Sequence, residues 1–146
     1  MTFTKNDLLL RILLFKIFNK ISTWEYLESQ FKNITIENFD SKLYSKLLSE
    51  AKEAKEVIYS GAYIMTSGKS IFGHDFKHEN HLELLSQYVQ SGKLLEAIEN
   101  AKDMEEVYKI LLSVPTFGSF LAYQYTIDIN YSTLTNFSEM DFVKAG

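Results

Sequence analysis

The most apolar stretch of the chain runs from Leu8 to Phe18, broken only by Arg11 and Lys16. A helix that is apolar on most of its sides is normally buried, so this run predicts a central core helix. Asn6 or Asp7 is its expected cap, and about Lys20 its expected end. A helix lying on a membrane surface is the alternative, since the run is shorter than the ~20 apolar residues that span a bilayer. Ser22 or Thr23 then opens a second short helix through Trp24, Glu25, Tyr26 and Leu27. Asp40 or Ser41 starts a third, whose Leu43, Tyr44, Leu47, Leu48, Ala51 and Ala54 fall at helical spacing, with alternating Glu and Lys on the exposed face. Gly61 to Asn80 is the least regular segment and reads as a long loop. Helices follow at about 81–91, 93–101 and 103–113, with Asp103 as N-cap and Glu106 completing a capping box. The pattern is that of an all-α chain of seven to nine short helices, forming a single domain over 1–146.

Composition narrows the picture. At 146 residues, 46% hydrophobic and 23% charged, the chain can bury one ordinary core. Six glycines and one proline, Pro115, leave too few turns for a many-stranded sandwich. The absence of cysteine excludes disulfides, a thiolate nucleophile and Cys-based metal sites. No cleavage site follows the apolar run, so a cytoplasmic chain with no membrane partner is expected. A formal charge of −4 is unlike that of a free-standing duplex binder, so contact with nucleic acid must be local or assisted by another domain.

The three histidines lie close together, His74, His78 and His81, with Asp75 and Glu79 between them. Their spacing of four and three would align the rings on one helical face, as a divalent metal site needs. The glycine-rich surroundings favour instead a solvated or phosphate-facing loop, with a pH-sensitive contact as a further alternative.

One segment carries more specific information. After the helix ending near Ser113 come Val114-Pro115-Thr116-Phe117-Gly118, then a second apolar helix from about Ser119 to Ile129. Pro115 stops the first helix and Gly118 allows a tight turn into the next, whose opening amides suit a phosphate oxygen. The spacing of Val114, Pro115, Phe117, Gly118 and Ala122 resembles the helix–hairpin–helix element of DNA glycosylases, with Thr116 where that element has its first glycine. Asp141 lies 23 residues beyond Gly118, in the phrase Ser138-Glu-Met-Asp141-Phe-Val-Lys144. It matches in position the catalytic aspartate of that superfamily, although Val143 stands where a histidine is usual. Apart from the resemblance, Ser138 reads as the cap of a final helix, with Glu139 and Asp141 favouring its N-terminus.

Further phrases sharpen the likeness: Arg11-Ile-Leu-Leu-Phe15-Lys16, Trp24-Glu25, Gly61-Ala-Tyr63-Ile-Met65, Phe120-Leu-Ala-Tyr-Gln124 and Asp128-Ile-Asn130-Tyr131-Ser132. With the Asp141 phrase they resemble the α-glutamyl/putrescinyl thymine pyrophosphorylase family, also met as the helical domain of 5-hydroxymethyluracil DNA kinases. The family's phrase continues past Ala145-Gly146, so relative to it the chain reads as either a truncated product or a reduced relative.

The resemblance implies a helix–hairpin–helix, glycosylase-like helical domain that works on phage-type DNA. A kinase partner places pyrophosphate on hydroxymethyluracil, and the glycosylase-like protein replaces it with an amine such as an amino acid or polyamine. Asp141 would then take the proton of the attacking amine. Gln124, Asn130 and Tyr131 would bond the base edge, and Arg11, Lys16 and Lys144 would hold pyrophosphate or backbone phosphate. Thr116, Phe117, Gly118 and Ser119 would form the DNA-backbone hairpin. No cofactor is required, a monovalent cation at the hairpin being the one allowed. Two other readings stay open, an N-glycosylase that excises the base and a non-catalytic module for nucleic acid or a protein partner. For Gln124 and Asn130 the plain alternative is a buried polar group bonding backbone, for Arg11 a core ion pair, and for Trp24 simple core packing.

Overall fold

The computed structural model describes residues 2–62, 65–132, 134, 135 and 137. Among them are eight α-helices, one π-helical segment and no strand: α1 Lys5–Phe18, α2 Ile21–Phe31, α3 Ser41–Glu53, α4 Lys69–Phe72, α5 Lys77–Leu84, α6 Lys93–Glu99, α7 Met104–Leu112 and α8 Ser119–Tyr131, with the π segment Leu85–Gln90 continuing α5. The all-α expectation holds.

The core forms around α1, which buries Leu9, Leu10, Leu13, Leu14, Ile17 and Phe18 and packs against α2, α6, α8 and the π segment. Its cap is neither of the expected residues. Thr4 accepts from the Asp7 amide while the Asp7 carboxylate accepts from the Thr4 amide at 2.8 Å, a reciprocal box one turn earlier. The second Asp7 oxygen accepts from the Ile36 amide at 2.8 Å and so ties the α2–α3 connection to the start of α1. Asn19 then ends α1 in the left-handed region, at φ 51°.

Neither Ser22 nor Thr23 caps α2. Lys20 occupies the cap position, and the Thr23 hydroxyl is buried, donating to the Ile58 carbonyl at 2.7 Å. Asp40 and Asp103 cap α3 and α7 as their spacing predicts. The irregular 61–80 segment holds the single-turn α4, and α5 starts four residues before the expected position. Helix α3 lies against α5, while α8 packs on α7 and α1. The far end of α8 therefore meets the first helix of the chain.

Candidate functional site

The turn from α7 into α8 is where the sequence departs from its resemblance and the backbone does not. Thr116 takes φ +72°, the left-handed conformation that glycine adopts without cost. Its hydroxyl oxygen is buried without a hydrogen-bond partner, and its methyl abuts Gly68, where a Cβ would lie only 3.2 Å away. The Phe117 amide donates to the Val114 carbonyl at 3.1 Å, closing the turn. Gly118 precedes α8 with no side-chain cap, and the helical ladder begins with the Ala122 amide donating to Gly118 at 2.8 Å. The opening-turn amides lie ahead of that ladder. Thr116 to Leu121 line a recess of about 490 Å³ together with Met65 and Thr66. The four predicted hairpin residues, Thr116, Phe117, Gly118 and Ser119, are thus neighbours on one concave surface.

The 65–68 loop that props this turn is held from behind by α5. Fully buried Asn80 donates to the carbonyls of Ser67 at 2.9 Å and His74 at 3.0 Å, and accepts from the His74 amide at 2.9 Å. Fully buried His81 donates through Nε2 to the Thr66 carbonyl at 2.8 Å, which leaves Nδ1 to accept from the Tyr59 hydroxyl at 2.7 Å. Burial pulls the His81 pKa down to about 4 against the opposing Thr66 bond, so the ring stays neutral.

His78 is buried between Ser49, 2.9 Å from its Nε2, and the Ser45 backbone, and burial lowers its pKa as well. His74 alone is half-exposed, paired with Glu83 at 2.7 Å. The expectation of a solvated histidine loop is therefore corrected. Two of the three rings face inward because α5 begins before His78 and packs against α3. No grouping of three or more His, Asp or Glu side chains suited to a metal occurs among the described residues.

A groove of about 480 Å³ opens where α1, α2 and the end of α8 meet, lined by Leu8, Arg11, Ile12, Phe15, Lys16, Trp24, Asp128 and Tyr131. It brings together three predicted site residues, Arg11, Lys16 and Tyr131. Their roles differ from the expected ones in part. The Arg11 guanidinium is 2.8 Å from Glu28, donates to the Ile34 carbonyl at 3.1 Å, and sits over the rings of Phe3 and Trp24. Lys16 faces Asp128 at 3.6 Å. Both cations are already neutralised, which corrects the expectation that they stand ready to grip phosphate. Tyr131 is 82% exposed at the groove mouth.

Asp128 was not anticipated as a site residue, because its partner lies on α1, far away in sequence. Its Oδ2 is the oxygen that faces Lys16 at 3.6 Å, and nothing approaches it more closely as a donor. Burial pushes its pKa up, while Lys16 and a hydrogen bond from Gln124 pull it back. The Gln124–Asp128 spacing of four residues on α8 was the one available signal. Asn130 fulfils its plain alternative: its amide donates to the Phe137 carbonyl at 3.0 Å and accepts from the Phe137 amide at 2.9 Å and the Thr135 hydroxyl at 2.6 Å, folding the chain back beyond α8. Asp141 and Lys144 lie outside the described residues.

Fold and site together describe an all-helical module in which one helix, α8, carries a glycine-capped turn at its start and an aromatic groove with a partly buried carboxylate near its end. A model of the family described as "5-hmdU DNA kinase, helical domain" matches residues 2–146, and the chain belongs to that family. Neither a comparison with curated proteins nor one with solved structures found a match. Among the described residues no helix is long and apolar enough to cross a membrane.

Proposed function

We propose that this chain takes part in the modification of hydroxymethyluracil in DNA, replacing a pyrophosphate on the hydroxymethyl group with an amine. The observation that carries the reading is family membership over nearly the whole chain, a family whose description names a 5-hmdU DNA kinase. The geometry is compatible with it. The turn before α8 offers backbone amides to a DNA phosphate, and the groove about 14 Å further along the helix has walls fit for an extruded base.

In this reading a kinase partner supplies the pyrophosphorylated base. The amine nitrogen then forms a bond to the methylene carbon as the carbon–oxygen bond breaks and pyrophosphate departs. Asp141 accepts the proton released by the nitrogen, and Lys144 faces the developing anionic charge. A second reading, a non-catalytic module for DNA or for the kinase, is favoured by one observation: Arg11 and Lys16 are both held in ion pairs.

Mass spectrometry of nucleosides separates the two. The protein is incubated with DNA containing pyrophosphorylated hydroxymethyluracil and a mixture of amino acids and polyamines, and the DNA is digested. An amine-bearing nucleoside that disappears with Asp141→Asn supports the transferase. Unchanged nucleosides with DNA bound support the module, and abasic sites support base excision.

A further inference from the structure

One buried side chain clamps a loop at both ends and leaves an apolar residue standing at its tip. The Asn80 amide donates to the Ser67 carbonyl at 2.9 Å and to the His74 carbonyl at 3.0 Å, and its oxygen accepts from the His74 amide at 2.9 Å. Between these points the chain makes the single turn α4, entered at Gly68 with φ +73° and left at Gly73 with φ +80°. Both glycines hold the left-handed conformation that other residues adopt only at a cost. The Phe72 amide donates to the Gly68 carbonyl at 2.9 Å and the Gly73 amide to the Lys69 carbonyl at 2.8 Å, which closes the turn.

Phe72 packs inward against the core, whereas Ile71 is 57% exposed. An isoleucine left in water forgoes the gain of burial, and a rigid mount lowers the entropy cost of ordering it against a partner. The clamp thus fixes in place a side chain that adds little to the core.

The position of α4 indicates the partner. A Cβ on Gly68 would lie 3.2 Å from the methyl of Thr116, in the turn that leads to the opening amides of α8. Ile71 stands three residues further on, about 5 Å of helix rise. A strand whose phosphate rests on those amides would pass Ile71 within a few nucleotides, at about 3.4 Å per nucleotide. Lys69, two residues before Ile71, pairs with the largely exposed Asp75 at 3.0 Å, a contact that a backbone phosphate can replace.

We propose that Ile71 is a wedge that enters the base stack beside the nucleotide to be modified, while the turn into α8 holds the strand. This rests on the reading above that DNA is held at that turn. The step makes and breaks no covalent bond, and contact between stacked bases is exchanged for contact with the isoleucine methyls. Ile71 is a positioning residue, which helps the nucleotide out of the duplex ahead of the chemistry.

The probe is a duplex oligonucleotide carrying one 5-hydroxymethyluracil, with 2-aminopurine as its neighbour on the same strand. Anisotropy of a 5′ label reads binding, and 2-aminopurine emission reads unstacking. The unaltered protein is expected to raise the emission about fivefold at saturation. Ile71→Ala keeps the affinity within about threefold and loses most of that rise. Ile71→Leu, which keeps a branched apolar tip, restores it. Both variants melt with the unaltered protein, since the position is exposed.

A full rise with Ile71→Ala overturns the proposal and leaves DNA binding in place, with a protein partner for the tip. Binding without any rise by the unaltered protein overturns it as well. No binding by the unaltered protein removes both the wedge and the reading on which it rests.

Discussion

Two polar clusters, one on α5 and one on α8, are built to different rules. On α5, Asn80 makes three hydrogen bonds and the two ring nitrogens of His81 each have a partner. On α8, Asp128 is only partly buried, and its Oδ2 faces the Lys16 ammonium at 3.6 Å, longer than a hydrogen bond. A saturated cluster has no capacity left for a ligand and serves as a fastener. A loosely held ion pair beside a groove can exchange partners when a ligand arrives. The contrast separates the α5 residues, which hold the 65–68 loop behind the turn into α8, from the α8 residues, which open onto a groove.

The comparison is broken most severely at Asn80. Asn80→Ala leaves two carbonyls and one amide without their side-chain partner and a void at a fully buried position, and is expected to lower stability by about 3 kcal/mol, read from denaturant midpoints. Acidification acts on the same cluster. His81 is held neutral down to about pH 4, whereas an unfolded histidine protonates near 6.5. Stability is therefore full above pH 6.5 and is lost as pH falls toward 4, by about 3 kcal/mol, with His78 adding to the same slope. Melting temperatures across that interval check it.

Asp128→Asn should have a much smaller effect. Removing this partly exposed charge leaves the Lys16 ammonium without its partner, and stability is expected to change by less than about 1 kcal/mol. A melting curve of the variant beside the unaltered protein checks it. Lys69→Ala, which removes an exposed ion pair with Asp75, is expected to shift stability by less than about 0.5 kcal/mol.

Signals confined to a few residues were legible in the sequence. Asp40 and Asp103 cap their helices as read, because an N-cap needs only its own next turn. The α1 cap was misplaced by two or three residues, since Asn6 and Asp7 are plausible caps until Thr4 is seen to pair with Asp7. The histidines could not be read correctly, because their burial depends on Ser49, Tyr59 and Thr66, which lie on other segments.

Of the candidate site, the turn before α8 was legible from proline and glycine spacing, and Thr116 keeps the left-handed shape in spite of its side chain. Arg11, Lys16 and Tyr131 line one groove, but the pairing of both cations was hidden, as was Asp128. Ion pairs between α1 and its neighbours are a property of packing that local pattern does not encode.

The most direct test of the division between fastener and site is an amide-resolved NMR titration of the isotope-labelled protein with the hydroxymethyluracil oligonucleotide. The account predicts that the Trp24 indole, the Gln124 side-chain amide and the Ser119–Leu121 amides shift together. The Asn80 side-chain amide should stay in place. Shifts confined to the cleft between α3 and α5, around Ser45, Lys46, Ser49 and His74, with α8 unmoved, would contradict it.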